Sequence, residues 1–308
     1  RFSVGRNSEE IFVSDGAKSD VGNIVDILGD NEILIPDPVY PVYLDSNVMS
    51  GHKISFLKGT RENGFLPMPG NADKKPYVIY LCSPNNPTGC IYAEEDLERL
   101  AAIVNEVNAR RAAELGDAAR PLYLLSDEPY RAFAYDGAVV PPVMPLTPYA
   151  VVLGSFSKTL SLAGERIGYV AVTPAMPDGA TLVNAITLTN RTLGFVNAPV
   201  IGQRLAAQLL DQTVDLGVYD RRRRLMAQVL TDAGIAFTMP KGAFYFFPKA
   251  PGGDDLAFVD ALQRELILAV PGRGFGMAGY IRLSCSVDEA IIARSAEGFK
   301  RAVKGLEP

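Results

Sequence analysis

A serine-containing turn that runs into a lysine is the first segment whose residue types could do chemistry. Ser155 and Ser157 flank a phenylalanine, Lys158 follows directly, and Arg166 lies further along the chain. Hydroxyl groups and a guanidinium can bind a phosphate through several charge-assisted hydrogen bonds. A lysine can form an imine when burial or a nearby cation lowers its pKa. The Ser-x-Ser-Lys pattern also occurs in ordinary loops, so alone it is a weak indication.

Three further residues could serve the same ligand. Asp127 follows an apolar stretch, where an ionised carboxylate is costly without a cationic partner such as a protonated pyridine. Taken alone, such an Asp more often caps a helix or lies in a surface turn. Tyr130 is near enough in sequence to reach the same ligand, although a tyrosine after a strand usually only packs. Asn86 could donate to the phenolic oxygen of a pyridoxal ring, or could simply belong to a structural turn at residues 85–89.

The elements that must position these residues alternate between strand-like and helix-like. This alternation predicts an α/β fold with a largely parallel central sheet flanked by helices. A helix is predicted at residues 93–115, with Gly116 to end it. The strands are predicted at residues 77–82, 122–125, 150–154 and 166–172. Polar residues gather at the carboxyl ends of these strands, where open α/β sheets bind ligands.

The pattern changes beyond about residue 203. Helices are predicted at residues 219–233, 256–266 and 287–303, and strands at residues 243–247 and 280–284. These elements favour a smaller C-terminal α+β domain. We therefore predict a large cofactor-binding domain at residues 1–203 and a small domain at residues 204–308. The chain opens abruptly on a short element at residues 9–13, so we expect the start of the large domain to lie upstream.

The bulk composition excludes several classes of protein. With 308 residues, 48% hydrophobic and 21% charged, the sequence is typical of a globular protein. Its longest apolar runs fall far short of the roughly 20 residues of a membrane-spanning helix, so no membrane association is expected. A net charge of −5 gives no general attraction to nucleic acid, and the basic run at residues 221–224 is predicted to be the solvated face of a helix.

The cysteines and the histidine indicate a reducing compartment and no metal. Cys82, Cys90 and Cys285 are an odd number and lie far apart, which argues against a disulfide framework and favours the cytoplasm. No basic and then apolar leader follows Arg1, so no export signal is expected. His52 is the sole histidine, and no metal-site spacing surrounds it.

Five motifs, in order along nearly the whole chain, resemble those of class I/II aminotransferases of pyridoxal 5′-phosphate (PLP) fold type I. They are Ser-Pro-Asn-Asn-Pro-Thr-Gly at 83–89, Ser-Asp-Glu-Pro-Tyr at 126–130, Ser-Phe-Ser-Lys at 155–158, Gly-Glu-Arg-Ile-Gly-Tyr at 164–169 and Arg-Leu-Ser at 282–284. Five motifs in register are far more specific than any single one. The resemblance implies PLP as the cofactor and transfer of an amino group from an L-amino acid to a 2-oxo acid.

The resemblance also implies a role for each matching residue. Lys158 is similar to the lysine that carries the cofactor as a Schiff base and moves the proton of the substrate Cα. Asp127 matches the partner of the pyridine nitrogen. Arg282 matches the arginine that binds the substrate α-carboxylate. The other expected cofactor contacts are Asn86 and Tyr130 at the phenolic oxygen, Tyr40 on the ring face, and Ser155, Ser157, Arg166 and the loop Gly16, Ala17 and Lys18 at the phosphate.

Two branches of the family are mixed in the sequence. The resemblance implies an aspartate-like or broad range of amino acids as the substrate, with LL-diaminopimelate as the alternative. Residues 11–69 are similar to LL-diaminopimelate aminotransferases, whereas residues 160–166 and 241–247 resemble aspartate or broad-specificity aminotransferases. Arg191 lies one place out of register with the arginine that aspartate-specific members use for the side-chain carboxylate, so that role is not carried over. Asn197 is expected near a homodimer interface or in a structural turn. The family's N-terminal segment is absent from this sequence.

Two other classes of function share the same residues. A PLP enzyme of another reaction type, such as a C–S lyase or an aminocyclopropane-carboxylate synthase, would keep the cofactor contacts and release an eliminated product. A regulatory module, in which an aminotransferase-like domain follows a helix-turn-helix domain, is the second. The complete catalytic set and the acidic charge balance favour the aminotransferase over this regulatory alternative.

Overall fold

A central sheet of seven strands carries most of the structure. The computed structural model describes residues 8–29, 31–69 and 77–306. The strands of the central sheet are β1 Ile11–Ser14, β2 Glu32–Asp37, β3 Lys53–Lys58, β4 Tyr77–Cys82, β5 Tyr123–Asp127, β6 Ala150–Ser155 and β7 Gly168–Val172. Their order across the sheet is β1-β7-β6-β5-β4-β2-β3.

Strands β2 to β6 run parallel to one another, whereas β7 runs antiparallel to both β6 and β1. The predicted mostly parallel sheet is therefore confirmed. The predicted strand at 166–172 begins two residues late, because Arg166 adopts a positive φ of 48° that ends the extended backbone. Because β7 is antiparallel, its first residue lies at the same edge of the sheet as the last residues of β1 and β6. Ser14 pairs with Gly168, and Gly168 pairs with Ser155, so β1 and β6 end where β7 starts.

Helices cover both faces of this sheet. They are α1 Ala17–Asn23, α2 Val42–Met49, α3 Glu94–Leu115, α4 Phe156–Thr159, α5 Gly179–Thr192 and α6 Val200–Gln208. Alternate residues of each strand face opposite cores, so Leu125 packs with α1 and Leu124 packs with α3. The predicted helix at 93–115 is confirmed, and Gly116 ends it with a φ of +53°.

A second sheet of three short strands forms the C-terminal part. The elements of this part are α7 Leu216–Asp232, β8 Tyr245–Phe246, α8 Asp255–Arg264, β9 Val270–Pro271, β10 Ile281–Ser284 and α9 Glu289–Lys304. The strand order is β8-β10-β9, and the three helices share one apolar core with this sheet. The predicted smaller α+β part is therefore present, with one additional short strand. The proposed boundary at 203/204 falls inside α6, and the division into domains stays a prediction.

The segment after β5 joins the two parts. Tyr130, Phe133 and Tyr135 belong to the same core as the C-terminal helices. Tyr135 also donates its hydroxyl hydrogen to the carbonyl oxygen of Ala243 at 2.7 Å. Within the described residues, no helix is both long and apolar enough to cross a membrane.

The arginine run at residues 221–224 is only partly solvated, contrary to the prediction. Arg221 and Arg224 are exposed, but Arg223 retains 1% of its accessible surface. Its guanidinium bonds to Asp220 and Asp136 and lies 4.6 Å from the centre of the Tyr135 ring. The helical period turns one arginine of the run towards the core, where these acidic partners compensate its charge.

Candidate active site

A cavity of about 330 Å³ opens at the carboxyl edge of the central sheet. It lies where β4, β5 and β6 end, and Arg282 reaches it from β10 of the small sheet. Every site residue predicted from the sequence except Gly16 lines it. These residues are Ala17, Lys18, Tyr40, Asn86, Asp127, Tyr130, Ser155, Ser157, Lys158, Arg166 and Arg282.

Asp127 lies at the inner end of the cavity, on the last residue of β5. Its Oδ2 atom accepts a hydrogen bond of 2.5 Å from the hydroxyl of Tyr43. Its Oδ1 atom is buried and has no hydrogen-bond partner among the described residues. Burial raises the pKa of Asp127 to about 7, Tyr43 opposes the shift, and the charge of Glu128 adds to it. One carboxylate oxygen is therefore left for a cationic ligand.

Lys158 lies on α4, the short helix that follows β6. The hydroxyl oxygen of Ser155 caps this helix by accepting a hydrogen bond of 3.2 Å from the backbone N–H of Ser157. Partial burial and then the charge of Arg166 lower the pKa of the Lys158 amine. A lowered pKa increases the neutral, nucleophilic fraction of the amine at neutral pH.

An anion-binding corner forms where β1 ends and β7 begins. Gly16 has a φ of +123°, and a Cβ atom there would lie 2.8 Å from Nη2 of Arg166. Gly16 therefore allows the guanidinium to pack directly on the backbone. The predicted loop at residues 16–18 is wrong in one respect, since Ala17 and Lys18 form the first turn of α1. The backbone N–H groups of a first helical turn have no partner within the helix.

Arg282 is held at the opposite side by an amide and two aromatic rings. Its Nη1 donates to Oδ1 of Asn86 at 3.0 Å. The guanidinium carbon lies 4.7 Å from the ring centres of both Tyr245 and Phe275. Because the amide oxygen of Asn86 faces Arg282, its NH₂ group remains as the donor for a ligand.

Aromatic residues complete the wall. The hydroxyls of Tyr130 and Tyr245 lie 3.0 Å apart, and burial raises the pKa of Tyr130 above its ordinary value. The ring of Tyr40 packs edge to face on Tyr43, the residue that bonds to Asp127. The amine of Lys18 lies 5.9 Å from the centre of the Tyr40 ring.

Sequence reasoning missed four residues of the site. Tyr43 lies in the first turn of α2, and no local pattern in the sequence indicates its bond to Asp127. Tyr245 and Phe275 carried no recognisable signal beyond their apolar surroundings. Cys82 also lines the cavity, and burial raises the pKa of its thiol to about 12, so it stays protonated. Within the described ranges, no group of potential metal ligands is present.

The fold and the site together define an α/β enzyme with a lysine, a carboxylate and two arginines around one cavity. Residues 3–299 match the family model described as aminotransferase class I and II. The chain therefore belongs to this family and is an aminotransferase, which acts on amino acids and 2-oxo acids.

Relatives and solved structures agree on the family. The chain is 33% identical to an LL-diaminopimelate aminotransferase of Agathobacter rectalis, over 90% of this chain and 72% of that protein. A second one, from Phocaeicola vulgatus, is 33% identical over 96% of this chain and 75% of that protein. An aminotransferase structure from Eubacterium rectale superposes with a TM-score of 0.89 at 30% identity, over 99% of this chain and 76% of that one. The structure of the aspartate aminotransferase of Thermotoga maritima superposes with a TM-score of 0.82 at 25% identity, over 97% of this chain and 76% of that one.

Proposed function

We propose that this aminotransferase uses PLP, bound between Asp127 and the corner at Gly16 and Arg166. One observation carries the proposal. The buried, unpartnered oxygen of Asp127 and the low-pKa amine of Lys158 line the same cavity. A protonated pyridine nitrogen is a cation that would pair with the oxygen of Asp127. An aldehyde is an electrophile suited to the amine of Lys158.

The remaining residues fit the other groups of PLP. Arg166, the hydroxyls of Ser155 and Ser157, and the backbone N–H groups of Ala17 and Lys18 would hold the phosphate. Asn86 and Tyr130 would donate to the phenolic oxygen. Tyr40 would cover one face of the ring. Each of these residues already has the hydrogen-bond donor or the ring that its contact with PLP requires.

Each side chain then has a defined task in the reaction. Bound PLP supplies an electron sink for the pair released when the substrate Cα–H bond breaks. Asp127 keeps the proton on the pyridine nitrogen, which is required for that sink. Lys158 would hold the cofactor through its amine and would move the proton at the substrate Cα as a general base. Arg282 binds the substrate α-carboxylate through two parallel hydrogen bonds and so orients the Cα–H bond.

For the amino donor, we propose LL-diaminopimelate first. The names of the relatives at 33% identity favour it, as does the similarity of residues 11–69 to that branch. Aspartate, or a broad set of amino acids, is the second candidate, favoured by the structural match to the Thermotoga maritima enzyme. The cationic groups of Lys18, Arg166 and Arg282 at the cavity suit substrates that carry carboxylates under either assignment.

A half-reaction screen tests the function and the donor together. The protein saturated with PLP is mixed separately with LL-diaminopimelate, aspartate, glutamate, alanine and an aromatic amino acid, and the visible absorption of the cofactor is followed. We expect LL-diaminopimelate to remove this absorption fastest and to leave a 2-oxo acid. Lys158→Ala is the matched control and should not respond. Release of ammonia or a thiol instead of a 2-oxo acid would favour the lyase alternative, and a response to no amino acid would refute transamination.

We also propose a homodimer. Exposed apolar side chains concentrate on α5, α6 and the loop between them, which is typical of a protein interface. They include Leu188, Leu193, Phe195, Val200 and Ile201. Sedimentation velocity should give twice the mass of the chain, and a monomer at micromolar concentration would contradict the proposal.

A reducing compartment, the cytoplasm, is the proposed location. All three cysteines are free thiols, and Cys82 and Cys285 are buried. Thiol-specific labelling of protein recovered from fractionated cells would test this, with a disulfide in the recovered protein as the contrary result.

A further inference from the structure

Another buried carboxyl, Asp20, lies next to the anion-binding corner and is not among the residues that line the cavity. Asp20 is on α1 and retains 1% of its accessible surface. Burial raises its pKa to about 8, Ser14 opposes the shift, and the charges of Asp15 and Asp127 add to it. Its Oδ1 atom has no hydrogen-bond partner among the described residues. A carboxyl in this environment destabilises the fold, so its presence calls for a local benefit.

Asp20 is connected to the corner through a closed set of hydrogen bonds. The hydroxyl of Ser14 donates to Oδ2 of Asp20. The oxygen of the same hydroxyl accepts a hydrogen bond of 3.2 Å from the backbone N–H of Gly16. The backbone N–H of Asp20 in turn donates to the carbonyl oxygen of Gly16 at 3.3 Å. Residues 14, 16 and 20 therefore hold one another, and Asp20 directs the single hydroxyl hydrogen of Ser14 away from Gly16.

Gly16 transmits this arrangement to Arg166. The backbone of Gly16 packs so closely on the guanidinium that no Cβ atom would fit between them. Gly168 also packs closely on Gly16, since a Cβ at Gly168 would lie 2.7 Å from the Cα atom of Gly16. Gly16 is thus in close contact with both Arg166 and the first residue of β7. A change in the Ser14 hydrogen bonds would shift Gly16, and Arg166 would follow.

We infer that Asp20 is a positioning residue for phosphate recognition, acting through Ser14 and Gly16 on Arg166. The inference rests on the proposed binding of PLP, whose phosphate Arg166 would hold. Asp20 would contact neither the cofactor nor the substrate. Replacing Asp20 should therefore affect only the binding of ligands that carry a phosphate.

The test compares two ligands that differ only in that phosphate. Dissociation constants for PLP and for pyridoxal are measured with the apoprotein by quenching of tyrosine fluorescence, since the chain has no tryptophan. Asp20→Ala and Ser14→Ala should each weaken PLP binding about tenfold and change pyridoxal binding less than about threefold, the loss expected when a strong hydrogen bond is misplaced. Inorganic phosphate should compete with PLP about tenfold less well in both variants.

Two controls separate positioning from general stability. Asp20→Asn keeps an oxygen that can accept from Ser14, so PLP affinity should stay within about threefold of the original. Asp26→Asn changes an exposed carboxylate in the 3-10 helix Ile24–Ile27 that follows α1, and should have no effect. If Asp20→Ala does not fold, Ser14→Ala carries the test. Equal loss for both ligands, or no loss for either, would overturn the inference. Failure of the unaltered protein to bind PLP would instead refute the proposed function.

Discussion

Two buried carboxylates, Asp127 in the cavity and Asp255 beside the small sheet, show opposite solutions to the same electrostatic problem. Asp255 is fully buried and accepts hydrogen bonds from the guanidinium and the backbone N–H of Arg273. These bonds hold its pKa below the ordinary range. Asp127 has one tyrosine hydroxyl and an unpartnered oxygen, and burial raises its pKa to about 7.

The difference separates a structural charge from a functional one. In the C-terminal part, the protein supplies the counter-charge itself, as it also does for Arg223 with Asp136 and Asp220. At the cavity, one buried oxygen of Asp127 has no hydrogen-bond partner among the described residues, as expected if a ligand supplies the counter-charge. Buried groups with shifted pKa values and unfilled hydrogen bonds indicate functional sites for this reason.

The largest effect is expected at the amine that faces Asp127 across the cavity. Lys158→Ala should lower turnover by about 10⁴-fold, because a positioned general base contributes up to that factor. The measurement is steady-state transamination with the best donor of the screen. Folding should be unchanged, since Lys158 is only partly buried. A loss of less than about tenfold would exclude Lys158 as the base.

The next effect tests the neutralised charges of the C-terminal part. Arg223→Ala should lower the free energy of unfolding by about 3 kcal/mol, since it removes a buried guanidinium that bonds to two carboxylates and packs on Tyr135. Arg224→Ala, the matched exposed neighbour, should cost less than about 1 kcal/mol. Urea unfolding of both variants measures the difference. Equal costs would mean that burial does not distinguish these two arginines.

Removing the charge of Asp127 should stabilise the apoprotein, whereas removing that of Arg223 destabilises it. The pKa of Asp127 in the folded state, about 7, exceeds the ordinary value of 3.8, so the folded state keeps a proton that the unfolded state releases. Stability due to Asp127 is therefore full below about pH 4 and falls by up to about 1.4 kcal/mol per pH unit until about pH 7. Asp127→Asn should remove this part of the slope and stabilise the apoprotein at neutral pH. An unchanged slope in urea titrations across this range would contradict the raised pKa.

The smallest effect concerns the cation at the far side of the cavity. Arg282→Lys keeps the charge but loses the planar fork, so kcat/KM for the amino donor should fall about tenfold. Arg221→Lys, on an exposed part of α7, is the control and should leave kcat/KM unchanged. An equal kcat/KM for both variants would mean that Arg282 does not hold the α-carboxylate through two bonds.

Several residues of the site could be predicted from the sequence because they follow a recognisable strand. Residues 77–82 are an uninterrupted apolar run, and the structure has a strand with the same bounds. The residues after it and after β5 and β6 then meet at one edge by the rule of parallel sheets. Lys158, Asp127 and Asn86 were found in this way.

What escaped prediction depends on contacts between distant segments. Tyr43 reaches Asp127 from a helix 84 positions earlier, and no local pattern records that bond. The burial of Arg223 depends on Asp136, which lies 87 positions away. The direction of β7 could not be predicted either, since an apolar strand has the same sequence pattern whether its neighbours are parallel or antiparallel.

The reversed strand β7 brings together the two parts of the anion-binding corner, which are far apart in sequence. Gly16 and Arg166 become neighbours only when β1 pairs with β7, two segments separated by most of the large sheet's sequence. Closing a loop of such length costs more conformational entropy than forming a local pair. The corner that would hold the phosphate thus exists only in a chain whose sheet is complete, and PLP would stabilise the finished fold in preference to partly assembled states.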